Sequence, residues 1–265
     1  MNDEEISSFW INYSIEDLAN RCASLHRQRR ELMESHGSIE IEAVRRTVSS
    51  IWIKGKGIEV GAGSRPFFIP DGSECYYGDI RDRDELSKYF SSLEVSLNGF
   101  IDAQTMAGIP QNSLDFVISA HVIEHLFDPI GAIINTIRVL KDQGIFLLVV
   151  PEKSKTWDRD RTATTLEHMM MDYVDGGMGT KKDAYVEHAK FVHPIMTGEY
   201  IDEDKIEESA LQAMNAAMDI HVHAWQYEEF RELLEKCKKI DNFLILHAQK
   251  VQNENIFVLK KCVAS

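Results

Sequence analysis

Three stretches of this 265-residue chain hold residues whose types and spacing could do chemistry. The first is GIEVGAGSRP, Gly57–Pro66, where a short apolar run ends in the small-residue turn Gly61, Ala62, Gly63. With no side chain in the way, the backbone of such a turn can come close to a ligand. Asp79, eighteen residues beyond Gly61, closes the next run, ECYYGD, where a carboxylate can accept from both hydroxyls of a ribose. A GxG turn alone says little. The turn together with an acid at the end of the following strand points to a nucleoside-type ligand. The second stretch is HVIEH, His121–His125, directly after the apolar run LDFVIS. The third is the polar segment from Pro151 to Tyr173, with Asp158, Arg159, Asp160 and Arg161 in a row.

The first stretch also narrows the nucleotide. Dinucleotide folds place a third glycine in GxGxxG, and that position holds Pro66 here. Glu59, inside the strand before the glycines, would oppose a pyrophosphate and tolerate a cation. A positively charged cofactor such as S-adenosylmethionine suits this arrangement better than a dinucleotide. HVIEH also fits H-x-x-E-H, a zinc-hydrolase pattern. It starts at the carboxyl end of a strand, however, and does not lie within a long helix, so no metal ligand is expected. His121 and His125 read instead as a structural or adenine-facing wall, or as substrate-facing groups. The four charges from Asp158 to Arg161 read as ion pairs among themselves, and Met169–Met171 with His188 and His193 as packing. His221 and His223 read as a packing pair at a strand edge.

The elements that must position these groups follow from periodicity. Short apolar runs over 57–60, 74–78, 99–102, 114–119 and 144–150 alternate with helical segments, the pattern of a parallel sheet covered on both faces. A helix over 130–140 ends in a turn where Gly144 would take a positive φ. Helices are expected over 202–218 and 227–237, and then a hairpin of strands over 243–250 and 255–261. Residues 1–50 read as helical, with Ser14 and Asp17 as a capping box, Leu18, Cys22, Leu25 and Leu32 at helical spacing, a solvated HRQRRE run, and Gly37 as a stop. The fold class is therefore α/β: a Rossmann-like, seven-stranded, mostly parallel sheet with an antiparallel terminal hairpin, N-terminal helices and a helical cap insertion. The chain divides into an N-terminal helical segment (1–50), a cofactor-binding half (51–150), a cap (151–220) and a C-terminal helix and hairpin (221–265).

On these residues the chain resembles the class I S-adenosylmethionine-dependent methyltransferases, over about 57–150 and more loosely over 221–261. The family's acidic-x-Gly-x-Gly motif falls on Glu59, Gly61 and Gly63, its ribose-binding acid on Asp79, and its adenine-contacting acid on Asp102 with Ala103. Its strand end falls on Asp115–His125 and its RVLKPGG turn on Arg138–Gly144. The chain departs from the pattern at Arg65 and Pro66, and at Asp142 and Gln143 where the family has Pro-Gly. The resemblance implies S-adenosylmethionine as cofactor, bound by Glu59, Gly61, Ala62, Gly63, Asp79, Ile80, Asp102, Ala103, Ala120 and His121. It implies in-line methyl transfer, with His121, His125 or Asp158 as base where the acceptor is protonated, as a sugar hydroxyl is. The segment after the fifth strand resembles a sub-branch associated with cell-surface sugar assembly, so a small-molecule or sugar-type acceptor is expected. Besides a zinc hydrolase on the H-x-x-E-H pattern, the weakest alternative, two other readings stay open. One is a catalytically inactive S-adenosylmethionine-binding protein with a regulatory or partner role. The other is a nicotinamide-dependent oxidoreductase, which lacks support because the third glycine and a Tyr-x-x-x-Lys pair are missing.

Composition sets outer limits. A net charge of −14 disfavours nucleic acid and anionic lipid as partners. No apolar run approaches the roughly 20 residues that span a bilayer. The acidic start MNDEEISSFW has no signal-peptide pattern, so a cytoplasmic location is expected, with Cys22, Cys75, Cys237 and Cys262 as reduced thiols. The sequence does not indicate an oligomeric state.

Overall fold

Seven strands join in one sheet of order β3-β2-β1-β4-β5-β7-β6, in a computed structural model that describes residues 15–91 and 93–263. The strands are β1 (Lys56–Val60), β2 (Glu74–Asp79), β3 (Gly99–Phe100), β4 (Leu114–Ala120), β5 (Leu140–Pro151), β6 (Phe243–Val251) and β7 (Glu254–Lys261). The first five pair in parallel; β7 runs antiparallel between β5 and β6. This is the expected sheet with its terminal hairpin. Phe116 to Ile118 in β4 and Leu147 to Val150 in β5 are buried without alternation, because helices cover both faces of the sheet.

The helices fit the spacing of their apolar residues. The crossover from β4 to β5 is a helix at Pro129–Val139, which buries Ile130, Ile133, Ile134 and Ile137 at intervals of three and four. The helix at Tyr227–Cys237 buries Phe230, Leu233, Leu234 and Cys237 in the same way. Each such side chain contributes roughly 1.5–3 kcal/mol on leaving water. Between β5 and the second of these helices lie α-helices at Leu166–Asp175, Lys181–Glu187, His193–Thr197 and Ile206–Asn215, with a π-helical turn at His188–Val192. They have a small core of their own, with Ala184, Tyr185, Ala210, Ile220 and Val222.

Four local expectations are corrected. The N-terminal helix does not stop at Gly37 but runs from Ile15 to Trp52, since one interior glycine costs only about 1 kcal/mol and the helical pattern resumes with Val48 buried. The positive φ after the crossover helix belongs to Gln143, not Gly144. Gly144 is there for space, because a Cβ on it would lie 2.8 Å from the Lys141 carbonyl oxygen. β3 ends at Phe100 and not at Asp102, whose side chain accepts from Gln104 N and Thr105 Oγ1 and turns the chain. The helix expected over 202–218 is shorter, a 3-10 turn at Glu203–Lys205 followed by Ile206–Asn215. The Ser14–Asp17 cap and the side chains of Leu18, Cys22, Leu32 and the HRQRRE run lie outside the described residues. The described residues up to Ala43 fall in one compact unit and those from Val44 in another. No described helix is long and apolar enough to cross a membrane.

Candidate active site

The strand registers bring the turns together. Val60 pairs with Gly78 and with Ser119, Gly78 with Gly99, and Ala120 with Val149. The chain therefore leaves β1 at Gly61, β2 at Asp79, β3 just before Asp102 and β4 at His121, all along one edge of the sheet. In open α/β sheets ligands bind outside this carboxyl edge.

Gly61 and Gly63 have φ of 67° and 53°, a region that L-residues rarely adopt. A Cβ on Gly61 would lie 2.4 Å from Val122 Cγ2, so the turn has room only for glycine there. Glu59 is buried behind the turn, and both its carboxylate oxygens lie 3.1 Å from Phe67 N, which donates to them. Burial pushes this carboxyl up to about 7, against the Phe67 bond and the Arg45 charge. Glu59 thus closes the loop onto its strand. Asp79 is buried, and its Oδ1 accepts from Arg81 N at 2.9 Å. Its Oδ2 has no hydrogen bond among the described residues, while the neighbouring Ile80 is exposed. Asp102 and Ala103 are half-buried at the next strand end, and Ala120 closes β4.

The HVIEH stretch forms a single 3-10 turn, Ile123–His125, straight after β4. His121 is held at φ 55°, strained for a residue with a side chain, and its Nε2 lies 2.9 Å from Glu254 Oε1. Arg45 Nε donates to the other oxygen of Glu254 at 3.0 Å. His125 Nδ1 lies 2.8 Å from Asp219 Oδ1, and Arg81 Nη2 donates to Asp219 Oδ2 at 2.8 Å. Burial works to raise the Asp219 carboxyl, but His125 and Arg81 outweigh it and hold it at about 2. Burial likewise disfavours a charged His125, yet Asp219 and Glu124 keep its pKa above the ordinary value.

Asp158 is buried and not free in a cleft. His221 Nδ1 lies 2.6 Å from its Oδ2, and Arg161 Nη1 donates to its Oδ1 at 3.0 Å. Burial alone would raise this carboxyl; His221 and Arg161 keep it below its usual range. Of the four charges in a row, Asp158 and Arg161 do pair with each other. Arg161 also donates to the carbonyls of His221 and Val222 and to Glu187, which ties the Lys181–Glu187 helix to the segment before the Tyr227 helix. That segment is fixed from the other side by His223 N donating to the Glu124 carbonyl at 3.0 Å. His221 and His125 consequently meet edge to face, with ring centres 4.8 Å apart. Burial and the Arg161 charge push the nearby His188 down to about 4, so its imidazole is neutral.

The structure therefore brings Glu59, Gly61, Ala62, Gly63, Asp79, Ile80, Asp102, Ala103, Ala120 and His121 to one edge, with His125 and Asp158 alongside. Sequence reasoning missed Arg45, Arg81, Asp219 and Glu254, and treated His221 as packing. Only the alternation in DIHVH, Asp219–His223, hinted that Asp219 and His221 share a side opposite the buried Ile220 and Val222; it would place His223 with them, yet His223 is buried against Trp225.

Comparison with known proteins adds a family. Residues 14–237 match a family described as "Methyltransferase domain". A search of the curated proteins finds no match. Solved structures of similar shape include an S-adenosylmethionine-dependent methyltransferase from Aquifex aeolicus, 11% identical, covering 81% of this chain and 87% of its own, with a TM-score of 0.42. Another, from Thermotoga maritima, is 13% identical over 82% of this chain and 87% of its own, with a TM-score of 0.44. A chain from Rhodobacter sphaeroides described as a Zn-dependent alcohol dehydrogenase is 15% identical over 80% and 86%, with a TM-score of 0.46. Likeness at this level assigns no activity.

Proposed function

The chain belongs to the methyltransferase-domain family, and from that premise we propose that it moves the methyl group of S-adenosylmethionine to a small-molecule or sugar-type acceptor. One observation carries the reading: the Gly61–Gly63 turn and a buried Asp79, one oxygen of which has no hydrogen bond among the described residues, stand at adjacent strand ends.

The residues fit the cofactor. Asp79 Oδ2 is available to accept from the ribose hydroxyls, and the exposed Ile80 offers an apolar wall to the adenine. Asp102 and Ala103 flank that wall at the next strand end. The backbone of Gly61, Ala62 and Gly63 can approach the amino-acid half, with Glu59 fixing the loop behind it. When bound, the cofactor supplies a methyl group already activated by its sulfonium. The protein's task is then alignment, which supplies roughly 7–11 kcal/mol in well-oriented reactions. A hydroxyl acceptor must also lose its proton. Asp158 acts on His221 and not on the acceptor, because its oxygens already face His221 and Arg161. The charge of −14 argues against a nucleic-acid acceptor.

Calorimetric titration with S-adenosylmethionine and with NAD tests the cofactor, and transfer of a labelled methyl group to a panel of sugars and small metabolites tests the acceptor. Saturable binding of S-adenosylmethionine and labelled product support the reading. Binding of NAD alone overturns it.

A further inference from the structure

Three chains of contacts with the same order meet beside β4: Arg81–Asp219–His125, Arg161–Asp158–His221 and Arg45–Glu254–His121. In each, an arginine binds a carboxylate, and the carboxylate fixes one ring nitrogen of a histidine. The second nitrogens of two of these rings, His121 Nδ1 and His125 Nε2, lie within 4 Å of a fourth carboxylate, Glu124. Glu124 lies between them, fully buried, with neither carboxylate oxygen hydrogen-bonded. Its Oε1 is 3.6 Å from His121 Nδ1 and 3.9 Å from His125 Nε2. One donor atom each from Glu124, His125 and His221 lies within 4.8 Å of the other two.

We propose that Glu124, His125 and His221 bind a first-row divalent cation, such as Zn(II), Mn(II) or Co(II), at the carboxyl edge of β4. Charge supports this. Arg45 and Arg81 each meet one outer carboxylate and Arg161 is shared by Asp158 and Glu187, so none of the three is left to pair with the buried Glu124 carboxylate, a costly state unless a cation joins it. Chemistry supports it as well. A carboxylate behind a histidine fixes the tautomer and aims the opposite nitrogen, the outer arrangement that metal-ligating histidines use. Imidazole and carboxylate together suit divalent first-row metals. Three protein ligands leave a coordination position open, and His121 Nδ1 lies 3.6 Å from the same Glu124 oxygen that His125 approaches.

His168, Asp172 and His223 also bring ligand atoms together, with Asp172 Oδ2 3.2 Å from His168 Nε2 and 3.6 Å from His223 Nε2, but no carboxylate holds an outer nitrogen of either histidine among the described residues. That group serves as a control. If the methyltransferase reading holds, the open position would take an acceptor oxygen and make its proton easier to remove, with His121 and not the ligating His125 as its base.

The test uses the full chain, stripped with a chelator and titrated with Zn(II), Mn(II) and Co(II) alone, followed by calorimetry and by the visible absorption of Co(II). One cation per chain is expected, with a Co(II) spectrum indicating nitrogen ligands. Asp219→Asn, which leaves the ligands in place but loosens His125, should weaken binding by about 10- to 100-fold. His221→Ala and Glu124→Gln should weaken it further, while His168→Ala should not change it. Circular dichroism shows which variants fold. If Glu124→Gln does not, the Co(II) spectra of Asp219→Asn and His221→Ala decide. Failure of the wild-type chain to bind any of the three cations stoichiometrically overturns the site, as does binding that is unchanged in both Asp219→Asn and His221→Ala. A chain that binds S-adenosylmethionine but no cation loses only this site; one that binds a cation but not S-adenosylmethionine loses only the cofactor reading.

Discussion

Glu59 couples the fold to pH in a way that can be measured. Its carboxyl is taken from 4.5 to about 7, chiefly by burial, with the Phe67 amide and Arg45 pulling the other way. A group with a raised folded pKa holds its proton more tightly in the native state. Its contribution to stability is therefore fully present below 4.5 and lost as pH rises to about 7. At 1.36 kcal/mol per pH unit this is worth about 3 kcal/mol, or about 6–12 °C of melting temperature for a chain of this size. Glu59→Gln removes the titration but keeps an oxygen for the Phe67 amide. Urea denaturation of both proteins from about pH 4.5 to about pH 8 isolates the effect, since all other groups titrate in both. The wild type should lose about 3 kcal/mol relative to the variant across that range. A stability difference that stays flat with pH refutes the buried, uncompensated carboxylate. A difference that grows in the wild type's favour as pH rises refutes the direction of the argument.

Asp79→Asn keeps the shape of the side chain and removes its charge; affinity for S-adenosylmethionine in a calorimetric titration should fall at least about tenfold, or about 1.4 kcal/mol. Gly61→Ala forces a side chain into φ 67° and against Val122 Cγ2, so about 1–3 kcal/mol of folding stability should go in a denaturant melt, together with cofactor binding. Arg161→Met removes the cation beside the buried Asp158, which keeps only His221 and Thr156, and leaves two carbonyls without their donor, and should cost about 3–5 kcal/mol. Adding Asp158→Asn should recover part of that loss, and simple additivity in the double variant would show that the pair is not coupled.

The sheet and the cofactor edge were legible because both rest on local rules. An apolar run followed by GAG, and the acid that closes ECYYGD, keep their meaning within twenty residues of sequence. The crossover and the Tyr227 helix were legible from apolar spacing alone. Gly37 misled because a glycine signal was weighed without the burial of Val48 downstream of it. Gly144 misled because steric room, and not backbone freedom, was what the turn required of it. The polar network beside HVIEH obeys no local rule. Arg45 and Glu254 are 209 residues apart, His121 and Glu254 133, and His125 and Asp219 94. No periodicity links such positions; only the strand order does.

The antiparallel strand explains how one of these links is made. In a wholly parallel sheet only carboxyl ends reach the ligand edge, so every residue there follows a strand. β7 runs the other way and pairs Glu254, its first residue, with Pro151, the last residue of β5. β5 in turn aligns Val149 with Ala120, and His121 N donates to the Val149 carbonyl. The start of β7 therefore arrives at the level where β4 ends, and a glutamate there meets the histidine that follows β4. The hairpin turn at Gln252 sets this register, since one residue more or less would send Glu254 to the opposite face of the sheet. What looks like a structural hairpin closing the fold is thus also the element that holds His121 in its strained conformation beside Glu124.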